Sequence, residues 1–568
     1  MALSSGARAE GQIQDAIALK LLGKNVFFDK RLSSPSGMGC VSCHEPTKGG
    51  TFPGLETNLH QVAITGADIT QVGRRRPQTN TYASFSPPFF ADCPDGIPGF
   101  CGGNFWDGRA QGRPPATDGT LPVPPLAAPH LDSEVFFDIV NPNVLSYSQY
   151  ISPISDQALN PFIEHTEQNL PSRAALCDLV ASADYAWLFQ LAWGEAINCG
   201  SGTATGSDSF ADISYKRIAM AVGAYQHSPD INRFDSKRDI AIRSELACID
   251  QQYSSYYNPT VCFKVRRMRY TNPDKEYGKF PLVSFTDQEN LGHDLFYNVD
   301  LPFIPGDQRA NKNLPAAQCS FCHSDHPATD DGSEPLQIYA DQAYHNLGVP
   351  PNPQIPKLTG LDTGLILHLG SALFPVPDGD LEDGFFRTPT IRNTGKGAGN
   401  GFVKAYMHNG YFKSLASVVH FYNTRSVLPD CEDLIGQPDG IPPGTPLTEE
   451  VALAHNCWPI AEFPVNQTIT GLVGGLNMTA NQEAALVAYM QTLSDQGSAR
   501  PPVLVDGTQE EKGLIMDLYS HLCPEEVEFV TSPSPGYYDR TAFHGCVTLL
   551  DLVEAMGEDD WVMGPESF

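Results

Sequence analysis

Two pentapeptides carry the most specific chemistry in the chain: Cys40-Val-Ser-Cys43-His44 and Cys319-Ser-Phe-Cys322-His323. Cys-x-x-Cys-His is the attachment signal of c-type haem. The two thiols add across the haem vinyl groups, and the adjacent imidazole is thereby set beneath the iron as proximal ligand. A chain of this composition should contain such a pentapeptide by chance roughly 0.01 times, so two occurrences are not accidental. A zinc site would need further Cys or His at ligand spacing, and neither cluster has them nearby. A thioredoxin-like redox pair would need a βαβ pattern around one Cys-x-x-Cys, and none is visible. The expectation is two covalently attached c-type haems, with His44 and His323 as proximal ligands.

The other ten of the 14 cysteines fall as sequence neighbours: Cys93/Cys101, Cys177/Cys199, Cys248/Cys262, Cys431/Cys457 and Cys523/Cys546. Five local disulfides are expected, the alternative being ten buried free thiols. Bridges imply maturation in an oxidising compartment, periplasmic or extracellular. The opening Met1-Ala-Leu-Ser-Ser-Gly-Ala7 lacks a basic stretch followed by an apolar one, so it reads as a mature or recombinant start.

The elements that must position these groups are helical. Apolar residues recur at helical spacing over Gln12 to Phe28, Ala174 to Trp193, Asp212 to Tyr225, Thr286 to Tyr297, Ser414 to Tyr422 and Ala480 to Leu493. Pro/Gly-rich stretches run between them, notably 107–154, 300–318, 348–380 and 428–470, and no strand-rich sheet is encoded. The fold class expected is mainly α. The length, 568 residues, suggests two to four domains. With the two clusters 279 residues apart, we expect an N-terminal haem domain over 12–280, a C-terminal haem domain over 281–500 and an acidic extension over 501–568. Lys plus Arg number 36 against 66 Asp plus Glu, a net charge of −30, which argues against nucleic acid or an anionic membrane surface as partner. No run of about 18 apolar residues exists, so no membrane span is expected.

Several ordered segments resemble the bacterial di-haem cytochrome c peroxidase/MauG superfamily. They are the stretch from Leu22 to Ser33, the first Cys-x-x-Cys-His, Phe105-Trp-Asp-Gly-Arg-Ala110 and Asp156-Gln-Ala-Leu-Asn-Pro161. Further on come Ile231-Asn-Arg-Phe-Asp-Ser236, the second Cys-x-x-Cys-His, His345-Asn-Leu-Gly-Val-Pro350, Phe386-Arg-Thr-Pro-Thr-Ile-Arg-Asn393 and Tyr406-Met-His-Asn-Gly410. The resemblance covers roughly residues 12–500. It implies two cytochrome-c-like domains, a peroxide-reactive haem in the first and an electron-transfer haem in the second.

The resemblance also implies roles for single residues. In this superfamily the sixth ligand of the second haem is methionine in ordinary peroxidases and tyrosine in MauG-like enzymes, fourteen residues after the histidine of Tyr-x-His-x-Gly. Fourteen residues after His408 stands Tyr422, with Met407 as the competing ligand and packing on a helix as the bland reading. A neutral thioether favours Fe(II), whereas a phenolate favours Fe(III) and higher states. Trp106 matches the family's inter-haem relay, or is a core aromatic. Roughly residues 111–152 intrude before the distal segment of the first haem. There Gln157, Pro161 and Glu167 match the family's distal set, with Glu167 as the acid–base that moves the peroxide proton. Glu164 and His165 lie close enough to confuse that register. His60, sixteen residues after His44, has the spacing of a distal histidine, but Thr65 to Arg75 looks MauG-like and favours a loop histidine. An inter-haem calcium is implied, held by backbone oxygens at Val403 and Ala405 and an asparagine side chain. That asparagine's place falls near Arg76, and a cation beside calcium is unfavourable. Arg74 to Arg76 then pair with haem propionates or form a solvated turn.

The functional expectation is a MauG-like di-haem oxidoreductase that uses hydrogen peroxide, stores oxidising equivalents across both haems and oxidises a partner protein or other substrate at a distance. The runner-up is an ordinary di-haem cytochrome c peroxidase drawing electrons from a small redox protein. A non-enzymatic di-haem electron carrier is the third reading.

Overall fold

A computed structural model describes residues 17–91, 99–112, 150, 152–205, 208–325, 330–334, 336–355, 362–366, 383–399 and 401–502. Most of the 111–152 insertion, the extension beyond residue 502, and Cys93, Cys523 and Cys546 lie outside the described residues.

The chain is mainly helical. Its helices are α1 (17–28), α2 (Cys40–Cys43), α3 (Leu55–His60), α4 (Pro153–Ala158), α5 (Arg173–Ala181), α6 (Ala186–Trp193) and α7 (Phe210–Gln226). They continue with α8 (Lys237–Leu246), α9 (Pro259–Thr271), α10 (Asp287–Phe296), α11 (Cys319–Cys322), α12 (Leu415–Thr424), α13 (Glu449–His455) and α14 (Ala480–Gln491). The single helix expected over Ala174 to Trp193 is two: Ser182 to Tyr185 form turns in which Ala183 and Ala186 donate three residues back. Strand structure among the described residues is three antiparallel two-stranded ribbons: β1 (Phe90–Ala91) with β2 (Phe100–Cys101), β3 (Thr203–Thr205) with β4 (Asp208–Ser209), and β5 (Tyr344–His345) with β6 (Phe386–Arg387). No helix of the described residues is long and apolar enough to cross a membrane.

Side chains sort these helices into two large cores. One gathers residues between Ile17 and Ile231, with Ala499; the other gathers residues between Ala241 and Leu493. Both are built around the same helix crossing. In α1 the segment Leu22-Gly23-x-x-x-Phe27 meets Ala221 and Tyr225 of α7; in α10 Leu291-Gly292-x-x-x-Phe296 meets Ala485 and Tyr489 of α14. A Cβ on Gly23 would lie 1.9 Å from the Ala221 carbonyl oxygen, and one on Gly292 would lie 2.0 Å from that of Ala485. Only glycine lets the backbones approach so closely. The ring four residues on then packs against the tyrosine, 5.6 Å for Phe27–Tyr225 and 5.3 Å for Phe296–Tyr489. Capping boxes start four of the longer helices, at Ser209, Ser236, Thr286 and Thr479, reciprocated by Asp212, Asp239, Glu289 and Gln482.

Buried polar contacts tie together segments far apart in the sequence. Arg392 forms a two-pronged ion pair with Asp239 at 2.8 and 3.0 Å, both side chains fully buried. Tyr82 donates to Asp495, which also accepts from Asn393 at 2.9 Å. Disulfides join Cys177–Cys199, Cys248–Cys262 and Cys431–Cys457, with Cα separations of 5.6, 5.5 and 5.1 Å, and Cys101 is disulfide-bonded as well.

Candidate haem sites

Each Cys-x-x-Cys-His forms one short helical turn with the histidine as its cap. The His44 amide donates to the Cys40 carbonyl (3.0 Å) and the His323 amide to that of Cys319 (2.8 Å), which puts two thiols and an imidazole on one side of the turn. Both imidazoles are oriented the same way. His44 Nδ1 donates to the Gly50 carbonyl and His323 Nδ1 to the Tyr339 carbonyl, each at 3.2 Å. Burial holds both rings below the ordinary histidine range, so they are neutral and Nε2 keeps its lone pair. That is the tautomer a metal needs, set by a backbone acceptor behind it. Gly50 supplies its carbonyl from a left-handed conformation (φ +67°), and a Cβ there would lie 2.2 Å from Asn80 Oδ1.

Cys40, Cys43, Cys319 and Cys322 are unpaired, whereas the other described cysteines are bonded. Burial pushes Cys40, Cys43 and Cys319 up to about 12, the reverse of what a thiol–disulfide exchange pair requires.

The first cavity brings the expected distal residues to the expected cysteines. Its wall contains Cys40, Cys43, His44, Gln157, Pro161 and Glu167. Gln157 comes from α4 and Pro161 from the turn that follows it. Glu167 is fixed through its backbone, which accepts from Ala67 (2.6 Å) in the Thr65–Arg75 loop. Its carboxyl has no hydrogen-bond partner among the described residues, and burial pushes it up to about 7, with attraction to Arg109 opposing and repulsion from Glu164 adding. The neighbours that blurred the register point elsewhere: Glu164 accepts from Thr166, and exposed His165 bonds Asn169 (2.8 Å). His60 is at the end of α3, 69% exposed and 3.7 Å from Glu56, away from the cavity wall.

The second cavity, about 180 Å³, holds Cys319, Cys322 and His323 together with Tyr422, Met407, Trp106, Arg76 and Arg387. Tyr422 comes from α12, on the same face as Leu415 and Val419, which line the cavity with it and belong to the second core. Its phenol is raised by burial and then by the Cys322 and Cys319 sulfurs it faces, and its hydroxyl has no hydrogen-bond partner among the described residues. Two arginines, half-buried Arg76 and buried Arg387, line the cavity with a buried Nε unpartnered among the described residues. An apolar chamber with a proximal imidazole, attachment thiols and unpaired guanidinium donors fits a porphyrin bearing carboxylates. His345, on β5, is paired with Asp341 at 2.8 Å in the same wall.

Trp106 stands in the second cavity's wall, 6% exposed, its Nε1 donating to the Arg76 carbonyl at 2.9 Å. Its ring meets His408 edge-on at 6.4 Å, and His408 stacks on Phe386 at 3.5 Å. Its own carbonyl accepts from Arg387 N at 2.9 Å. Three residues later Arg109 acts on Glu167 in the first cavity. The Phe105–Ala110 segment therefore reaches from one site to the other, and Asp107, fully buried between Arg75 (2.6 Å) and Arg109 (2.9 Å), fixes both arginines. Sequence reading assigned no role to Arg109 or Arg387, although both lie in motifs it had marked.

Comparison with known proteins bears on the same residues. Residues 18–246 match the family model for di-haem cytochrome c peroxidase (CCP_MauG). The methylamine utilization protein MauG of Paracoccus denitrificans (strain Pd 1222) is 24% identical over 481 residues, covering 84% of this chain and 89% of that protein. Over these stretches the chain is similar to the di-haem cytochrome c peroxidase/MauG family. That family's members are oxidoreductases that carry c-type haem, use peroxide and are typically periplasmic, and the disulfides of this chain agree with an oxidising compartment. Among solved structures, the diheme peroxidase BthA from Burkholderia thailandensis E264 superposes with a TM-score of 0.50 at 22% identity, over 85% of this chain and 90% of that one. A tyrosine-to-methionine variant of BthA gives 0.51 at 21% identity over the same shares. These likenesses describe the fold.

Proposed function

We propose that this chain is a MauG-like member: a di-haem oxidoreductase that uses hydrogen peroxide to oxidise a partner protein or other substrate at a distance. Its two cores each carry one covalent haem, the N-terminal one peroxide-reactive and the C-terminal one a store. The observation that carries this reading is Tyr422, a phenol without a hydrogen-bond partner facing the Cys319 and Cys322 sulfurs.

When bound, the haems supply iron that takes two oxidising equivalents from peroxide and holds them. The protein does the rest. His44 and His323 present neutral Nε2 atoms, held by the Gly50 and Tyr339 carbonyls. Gln157 orients peroxide or water, and Pro161 keeps that side of the cavity open. Glu167, poised at about 7, accepts the peroxide proton and returns it to the departing oxygen. Trp106, rigid between the Arg76 and Arg387 backbones, relays electrons between the sites. Tyr422, whose phenol burial keeps protonated, is the residue that would hold the second iron, and as its ligand it would supply an anionic oxygen.

Met407 also lines the second cavity and supports the ordinary peroxidase reading. Peroxide titration of the holoprotein with EPR and near-infrared detection, alongside Tyr422→Met and Met407→Leu, separates the two. We expect one high-spin and one low-spin ferric haem, a raised second-haem potential in Tyr422→Met, and no change in Met407→Leu. An unchanged potential in Tyr422→Met with ligand loss in Met407→Leu makes the protein an ordinary peroxidase.

A further inference from the structure

The oxygens that family resemblance reserves for an inter-haem calcium are already taken by donors from this chain. The Ala405 carbonyl accepts from Arg76 Nη1. The Val403 carbonyl accepts from Asn58 Nδ2 at 3.0 Å, and the same amide nitrogen donates to the Phe52 carbonyl at 3.2 Å, so Asn58 turns its NH2 group toward these carbonyls. Behind it, Lys413 Nζ donates to the Asn58 and Gly410 carbonyls, both at 2.9 Å. Lys404 Nζ, buried nearby, donates to the carbonyls of Asn393 (2.7 Å) and Lys48 (2.9 Å). Calcium seeks six to eight oxygens, commonly including carboxylates. Here it would meet the Arg76 guanidinium, two lysine amines and carbonyls that each already accept a hydrogen bond. The residues do not fit the ion.

Arg76 also makes the connections expected of a central tie. Its amide donates to the His408 carbonyl (2.9 Å), its carbonyl accepts from Trp106 Nε1 (2.9 Å) and its guanidinium holds Ala405. Three groups of one residue thus link Trp106, the 403–406 segment and the Tyr406–Gly410 loop. Burial lowers its guanidinium to about 10, still charged at neutral pH, and opposes the bringing in of further positive charge.

We propose that Arg76 is a positioning residue that replaces the inter-haem calcium with a built-in cation, so that the holoprotein is calcium-free and its haem sites do not respond to calcium. The calcium-free state rests on the donor geometry alone; the consequence for Trp106 also rests on its proposed relay role.

Purified holoprotein is equilibrated with calcium chloride, desalted and analysed for metal, and its haem spectra are recorded with and without EGTA. We expect less than roughly one calcium per ten chains and superimposable spectra. About one retained calcium per chain, or a spectral change with EGTA, overturns the proposal. Arg76→Asn removes the cation and offers an amide oxygen, so it should become calcium-responsive, with an EGTA-sensitive second-haem spectrum that calcium restores. Arg76→Lys keeps the charge and should stay unresponsive. If Arg76→Asn matches wild type with and without calcium, Arg76 positions nothing and the proposal fails. Should Arg76→Asn not fold, calcium content of the wild type and of Arg76→Lys still decides it.

Discussion

Glu167 shows how little of a carboxyl group's chemistry is in its identity and how much is in its surroundings. Three acid–base candidates stand within four residues of one another, and spacing alone leaves Glu164, His165 and Glu167 in contention. Packing separates them: the Glu167 backbone is held by Ala67, so its carboxyl faces the Cys40–His44 cavity, while Glu164 and His165 spend their polar atoms on Thr166 and Asn169. Burial then raises Glu167 from an ordinary 4.5 to about 7, where both protonation states are available at neutral pH. Glu167→Gln should slow peroxide consumption by about 10² to 10⁴ and remove an inflection near pH 7 from the rate profile. Stopped-flow measurement between pH 5 and 9 checks this, and an unchanged profile would exclude Glu167. The same shift has a stability consequence of definite sign. The folded chain binds this proton more tightly than the unfolded chain, so stability from this group declines as pH rises from 4.5 to about 7 and is level above. In Glu167→Gln that decline should disappear from urea midpoints measured across the window.

At the scale of helices, the two cores are one device used twice. A glycine at the waist of α1 or α10 lets it settle against an Ala-x-x-x-Tyr face of α7 or α14, and the following turn of chain carries Cys-x-x-Cys-His. Gly23→Ala and Gly292→Ala each force a methyl onto a backbone oxygen of the partner helix, which cannot rotate away, and should cost about 1–3 kcal/mol. The losses should be local in their optical effect: Gly23→Ala perturbs the Cys40–His44 haem and Gly292→Ala the Cys319–His323 haem, read by Soret absorbance during thermal unfolding. Equal perturbation of both haems by either variant would refute two separately built cores. Helices α1, α5, α6, α7, α10, α12 and α14 were legible because their buried faces are apolar at a period of 3.6. The short α2, α3, α4, α11 and α13 were not, nor were two longer ones. In α8 the buried side chains include Arg238, Asp239, Arg243, Ser244 and Glu245, which write no apolar stripe because they form ion pairs and caps. In α9 only Cys262 and Val265 are buried, and the Cys248–Cys262 disulfide supplies the anchorage that an apolar face would otherwise give. The attachment cysteines, both histidines and the distal trio could be read because motif spacing carries them. Arg109 and Arg387 could not, since their roles come from the cavities the folded chain brings to them, which no local spacing records.

For the whole molecule, rigidity between the cores and the charge around them govern function. Electron transfer between two fixed sites needs a fixed distance. The Asp239–Arg392 pair, the Tyr82–Asp495–Asn393 cluster and the Arg76 tie each join segments more than a hundred residues apart in the chain. Such contacts are costly to open because breaking a buried ion pair strands a charge. Around this frame the net charge of −30 acts on anything that approaches. Peroxide is neutral and feels none of it. A cationic electron donor or substrate protein is steered, by as much as 10- to 10³-fold in on-rate at low salt, and salt shortens the field from a Debye length of about 30 Å at 0.01 M to about 3 Å at 1 M. Raising ionic strength should therefore lower kcat/KM for a cationic protein donor by at least about tenfold, while the rate of peroxide reaction with the isolated holoprotein stays constant. Steady-state assays against salt, paired with single-turnover peroxide mixing, make the comparison. If both rates fall together, salt is acting on the haem sites. If neither falls, the acidic surface takes no part in recognition and the electron source is small or neutral.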